Sequence, residues 1–221
     1  MSEREAGEPW AVHPDASLQS VLDAPDCPAL LRSALTGVYS YQLRTQTTVS
    51  RTLRAFQLMP QWIAALLALG ASVGLEQEDG VREVPLDRLG RLTSNGDIAA
   101  LYIPLPDSAC RWGEAHVART PSDEPIVAAF AWVKLRGRLV QAARVALTGV
   151  WPEGVRLATS EHALVGEPLT VEQIRALAGR IQDRVEPVGD YRGSEEYRRA
   201  MAGAMSRRAL KACLEPGGSD A

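Results

Sequence analysis

With 221 residues, 46% of them hydrophobic and 23% charged, the chain can form one large or two small domains whose core needs no disulfide or metal staple. A net charge of −3 lacks the basic excess of a nucleic-acid binder. The longest apolar run, residues 62–73, is well short of the roughly 20 residues that span a bilayer, and the acidic start "MSEREAGEPW" has no basic-then-apolar targeting signal. A cytoplasmic protein that does not enter a membrane is expected.

Residues 1–15 read as an irregular leader. Over residues 17–38, Leu18, Val21, Leu22, Leu30, Leu31, Ala34, Leu35 and Val38 follow helical spacing, and Pro25 and Pro28 divide them into a short helix and a longer one. The polar, glycine-free stretch "RTQTTVSR" (residues 44–51) then lies between two apolar segments and reads as a loop. "PQWIAALLALG" is a short buried helix with Pro60 suited to its start and Gly70 to its end. "ASVGLEQEDGVREVPL" predicts two strands around a turn at Asp79 and Gly80, and residues 99–106 predict a further strand. These elements form a small α+β unit over residues 16–107.

A second unit follows over residues 108–214, with residues 215–221 as a frayed tail. Residues 125–135 and 139–150 read as strands joined by Arg136, Gly137 and Arg138, a hairpin signal. "VRLATSEHAL" supplies a third strand running into a helix. Thr170 and Gln173 have capping-box spacing, and Ile174, Leu177, Ala178, Ile181 and Val185 form one buried helical stripe. The last helix starts at Ser194, with Glu195 and Glu196 complementing its dipole. Tyr197, Met201, Ala204 and Met205 are expected to face inward. Arg198, Arg199, Arg207 and Arg208, two pairs nine residues apart, are read as one basic surface suited to a subunit contact. The fold class is α+β, with an antiparallel sheet carrying helices on one face.

Motifs of other chemistries are absent. Cys27, Cys110 and Cys213 are far apart, odd in number and form no CxxC pair, which points to buried free thiols rather than a zinc or iron–sulfur site. His13, His116 and His162 stand in separate contexts. No Gly-x-Ser-x-Gly elbow, P-loop or Gly-x-Gly-x-x-Gly occurs, so hydrolase, nucleotidase and Rossmann readings have no support. The five tryptophans follow no spacing and are expected to fill cores or interfaces.

Residues 119–135, 146–170 and 190–210 resemble the C-terminal domain of the flavoprotein (medium) subunits of molybdenum hydroxylases, the relatives of carbon monoxide dehydrogenase and xanthine dehydrogenase. Asp190, Arg192, Gly193, Ser194, Tyr197, Arg198, Arg208, Ala209 and Leu210 carry the most specific part of the pattern. The resemblance covers about residues 30–212, more strongly in the second half. It implies a middle lobe of the FAD-binding (PCMH-type) fold, then a CO dehydrogenase flavoprotein C-terminal-like domain. In that family the medium subunit's FAD takes electrons from an iron–sulfur small subunit, itself fed by a large subunit holding the molybdenum cofactor.

The family's flavin loop in this lobe reads approximately Gln-Ile-Arg-Asn-x-Gly-Thr-Ile-Gly-Gly-Asn and falls on residues 42–52. Gln42, Arg44 and Thr48 match, and Leu43 and Val49 stay aliphatic. The three glycines are replaced by Thr47, Ser50 and Arg51, the final asparagine by Thr52, and a family acidic residue further on by Gln61. Glycines there give access to φ > 0 and let backbone N–H groups approach a pyrophosphate; Cβ atoms remove both advantages. The family's N-terminal lobe, with its own glycine loop, finds no counterpart.

The resemblance thus implies a truncated homologue without cofactor, serving as a structural or docking subunit of a molybdopterin-dependent oxidoreductase. Its partners would be the iron–sulfur and molybdenum subunits, contacted through the four arginines. In the alternative, a second flavoprotein chain supplies the missing lobe and FAD is held by Arg44, Thr48, Ser50 and Arg51. A third expectation is a free-standing assembly or regulatory module. No catalytic residue and no metal ligand is assigned.

Overall fold

Alternation of buried side chains explains how the second half of the chain folds. In the computed structural model, which describes residues 8–89, 97–120, 123–159 and 163–215, strands β5 (Cys110–Val117), β6 (Val127–Arg136), β7 (Leu139–Thr148) and β8 (Val155–Leu157) form an antiparallel sheet in that order. Val127, Ala129, Ala131 and Val133 of β6 point to one core, while Ala128 and Phe130 point to another, as the period of two requires. The first core is closed by helices α7 (Val171–Arg184) and α8 (Glu195–Ala212), which pack on each other, α8 lying on the sheet and α7 adding Ile174, Leu177 and Ile181 to the same core. The second is closed by a helix from the first half of the chain.

That helix, α5 (Pro60–Leu69), has all ten residues buried. An α-helix that is apolar on every side has to be covered on every side, and α5 lies against α2 (Ala29–Thr36) as well as β6, β7 and β8. Pro60 occupies its first turn, where no N–H is lost, and Gly70 caps it with φ 79°. The remaining first-half helices are α1 (Leu18–Asp23), α3 (Tyr41–Gln46), α4 (Val49–Arg54) and α6 (Leu86–Leu89), with a 3-10 turn at Phe56–Leu58. Strands β1 (Trp10–Val12), β2 (Ser72–Gln77), β3 (Gly80–Pro85) and β4 (Ile98–Ile103) form a second sheet, ordered β1-β4-β2-β3.

Three expectations change. The leader is not irregular throughout: Trp10 pairs with Ile103 and Val12 with Leu101, and both Trp10 and Val12 are buried. Strand β5, which the sequence pattern did not announce, pairs with β6 from Cys110↔Lys134 to Val117↔Val127. The inward face of α8 is also different. Tyr197 is 39% exposed, whereas Arg198, Ala202, Met205, Ser206, Ala209 and Leu210 are buried. Nine residues make about two and a half helical turns, so the two arginine pairs face opposite ways. Arg198 faces inward and Arg207 faces solvent.

Arg198, 3% exposed, ties three segments together. Its Nη1 donates to the carbonyls of Ile126 (2.9 Å) and Gly149 (2.8 Å), its Nη2 to Asp190 Oδ1 (2.7 Å), and its Nε to the Gly193 carbonyl (3.4 Å). The start of β6, the turn after β7 and the turn before α8 are thereby held on one guanidinium. Gly149 has φ 74° and a Cβ there would strike the Ile126 carbonyl, so only glycine fits. Asp190 also accepts from the amides of Arg192 and Gly193.

Arg198→Ala leaves these acceptors without their donor and should lower stability by about 3–5 kcal/mol in urea unfolding; a loss below about 1 kcal/mol would show that the clasp is not structural. The Arg198 hydrogen bond, against a smaller opposing effect of burial, lowers the Asp190 pKa to about 2. A carboxylate whose folded pKa is depressed contributes stability above its unfolded value, about 4, and loses it as pH falls. The urea midpoint of the wild type should therefore drop between pH 4 and pH 2 more steeply than that of Asp190→Asn.

Candidate functional site

The stretch expected to be a loop is two short helices. Ser40 Oγ accepts from the Leu43 amide (3.3 Å) and caps α3; Thr48 Oγ1 accepts from the Arg51 amide (3.4 Å) and caps α4. Hydroxyl side chains at these two positions start each helix, and Thr47 and Thr48 form the elbow between them. Thr47 is buried, and its carbonyl accepts from Leu18 N (2.9 Å). Thr48 makes an isolated antiparallel bridge with Ser17.

The backbone donors at the start of α4 are committed within the protein. Val49 N donates to Ala16 O (3.0 Å), Ser50 N to Pro14 O (2.8 Å), and Thr52 N to Thr48 O (3.3 Å). With Arg51 N on its capping hydroxyl, four consecutive amides have acceptors. The side chains are largely committed too. Thr48 Oγ1 and Ser50 Oγ are 3.2 Å apart. Thr52 Oγ1 donates to Val49 O (2.8 Å) and accepts from Trp62 Nε1 (3.2 Å). Arg44 donates through Nε to Gln19 (2.8 Å) and through Nη1 to the carbonyls of Leu35 (3.2 Å) and Tyr39. Arg51 is exposed and makes no ion pair among the described residues.

Gln61 lies beyond the elbow and is 2% exposed. Tyr39 donates its hydroxyl to the Gln61 side-chain carbonyl and accepts from the Gln61 amide (3.2 Å), and burial pushes the Tyr39 pKa upward. Gln61 Nε2 has no partner among the described residues. The cavity beside it, lined by Gly37, Val38, Glu114, His116 and Phe130 among others, measures about 20 Å³, room for a water but not for a fused ring system.

Of the four residues expected at a flavin loop, Thr48, Ser50 and Arg51 share the elbow, while Arg44 turns to the backbone at the end of α2. A pyrophosphate cradle needs unclaimed N–H groups and no Cβ in the approach. The elbow offers neither, so its residues do not fit a flavin pyrophosphate. Of the four arginines, Arg199, Arg207 and Arg208 are exposed and Arg198 is interior. The Tyr39–Gln61 pair carries no local sequence signal, since its members are 22 positions apart.

Among the described residues no cluster of three or more His, Cys, Asp or Glu side chains could hold a metal ion, and no helix is long and apolar enough to cross a membrane. His162 lies outside the described residues. Cys27 and Cys213 are buried free thiols whose pKa values burial pushes up to about 11 and about 12. Cys110 is half-buried and donates to Asp107 (3.3 Å).

A four-stranded antiparallel sheet backed by two long helices, with a buried arginine clasping the turn before the last one, defines a class. Residues 115–213 match the family model described as the CO dehydrogenase flavoprotein C-terminal domain, and the chain is homologous to the medium chain of carbon monoxide dehydrogenase. It is 31% identical over 155 residues to that medium chain from Hydrogenophaga pseudoflava, covering 67% of this chain and 54% of the relative. It is 23% identical over 188 residues to the glyceraldehyde dehydrogenase medium chain of Sulfolobus acidocaldarius, covering 82% and 66%. The matched part thus spans between about half and two thirds of these relatives. A solved carbon monoxide dehydrogenase of Hydrogenophaga pseudoflava, lacking the Mo-pyranopterin moiety of its molybdenum cofactor, superposes with a TM-score of 0.83 at 26% identity, over 96% of this chain and 77% of that one. Quinoline 2-oxidoreductase from Pseudomonas putida 86 shares the fold, with a TM-score of 0.78 at 23% identity over 96% and 76%.

Thr48→Ala removes the α4 cap and the contact with Ser50. It should cost about 1 kcal/mol in urea unfolding, with Thr48→Ser close to wild type.

Proposed function

We propose that this chain is a docking subunit of a molybdenum-hydroxylase-type complex that works without a flavin of its own. The observation carrying this reading is the set of four amides, from Val49 to Thr52, that already have acceptors within the protein. Side chains at Thr47, Ser50 and Arg51 in place of glycine support it, as does the small cavity beside Gln61. The homology to medium chains of multi-subunit enzymes supports membership of a complex. Its partners in this reading are an iron–sulfur subunit and a molybdenum-cofactor subunit, and the residues available to meet them include Arg199, Arg207 and Arg208.

A second reading is favoured by the family's description as a flavoprotein and by the exposed, unpaired Arg51 among the described residues. Here another chain completes the cleft, and FAD meets Arg51, Thr48 and Ser50. Both readings meet in one measurement. The purified chain, and the chain co-expressed with its genomic neighbours, should show no flavin absorbance after desalting and no quenching of added FAD fluorescence. Stoichiometric flavin in the chain alone would sink the docking reading; flavin appearing only with a glycine-rich second chain would establish the other one.

A further inference from the structure

We infer that the solvent side of the α7–α8 layer docks an acidic segment of a partner protein, with a partner carboxylate seated between Arg180 and Arg184. This inference rests on the docking role proposed above but not on the absence of flavin.

Apart from the interior Arg198, the two helices carry seven basic and four acidic side chains in a chain whose net charge is −3. The basic charge is therefore concentrated in one layer of an otherwise acidic protein. Arg175, Arg180, Arg184, Arg207, Arg208 and Lys211 are all exposed. Among the described residues none of them makes an ion pair, although Arg54, Lys134, Arg156, Arg192 and Arg198 do. Single exposed arginines are ordinary and worth little. A set this large without carboxylate partners among the described residues, on one layer, is a positive field that those residues leave uncompensated.

Arg180 and Arg184 are one turn apart, so their like charges repel slightly. Asp183, on the same helix, pairs with neither. Both line a cavity of about 200 Å³ whose wall includes Leu177, Ile181, Ala158 and Thr159. Guanidinium forks match a carboxylate in a bidentate manner, and the apolar floor suits the methylenes of an Asp or Glu side chain. A protein partner is favoured over nucleic acid because the chain is acidic as a whole, and a polyanion would meet repulsion beyond this layer.

The test uses the full chain and a fluorescently labelled oligoglutamate peptide, read by anisotropy. Binding should weaken as salt rises and fall roughly tenfold or more in R180E/R184E. R136E/R138E, on the β6–β7 turn, should change it little. Circular dichroism checks folding, and R180Q/R184Q serves if the charge reversal unfolds. No binding at low salt, or binding indifferent to R180E/R184E, overturns the inference. So does full displacement of the peptide by equimolar inorganic phosphate, which marks a small-anion site, or tighter binding to duplex DNA or phosphatidylserine vesicles. Flavin content of the same preparation is scored separately, so a flavin-loaded protein that still binds the peptide would refute only the earlier reading.

Discussion

The burial of α5 on all sides is the constraint from which the architecture follows. Trp62, Ile63, Leu66 and Leu69 are fully buried, and each such side chain contributes about 1.5–3 kcal/mol relative to exposure. No single sheet can cover such a helix, so the first unit uses α2 on one side while the second lends one face of its sheet on the other. The core that includes α5 accordingly runs through Ala128, Phe130, Ala146 and Val155 of the second unit. The two units share this core and cannot be separated without exposing it.

Two arginines then fix the two faces of the β5–β8 sheet. On the α5 side, Arg144 lies against Gly70, where α5 ends, and 5.1 Å from the Trp132 ring. A cation at a helix C-terminus is favoured by the carbonyl dipoles collected there. On the other side, Arg198 gathers Ile126, Gly149, Gly193 and Asp190. Buried backbone carbonyls at strand ends need donors, and one guanidinium supplies them where no further strand can.

Elements with strong local chemistry were legible in the sequence. Pro60 and Gly70 bound α5, and Ser194 and Thr170 start α8 and α7 by accepting from Tyr197 N and Gln173 N. The capping box is only half formed, because the Gln173 side chain turns to Glu167 (3.4 Å) instead of reaching back. What escaped was decided by tertiary pairing. Three residues at Trp10–Val12 have no pattern of their own and become a strand because β4 offers an edge. Arg198 reads as a surface charge until the acceptors it meets, 49 and 72 positions away, are brought beside it. The elbow at Thr47 and Thr48 was placed by resemblance; its helical form rested on two hydroxyl caps that a polar stretch easily hides.

A loop that cradles an anion must keep backbone donors unclaimed until the ligand arrives, and its own stability is poorer for it. The elbow in this chain is arranged the opposite way. The segment from Pro14 to Ser17 supplies the acceptors for Val49 and Ser50 and the bridge to Thr48, and Thr48 supplies the cap. Trp62 joins the elbow to α5 through Thr52, so the helix that welds the two units also anchors this corner. A ligand could take those amides only by displacing the residue 14–17 segment, which lies beside β1 in the sequence and leads into the buried face of α1. The corner is therefore held in shape by contacts made within the chain itself.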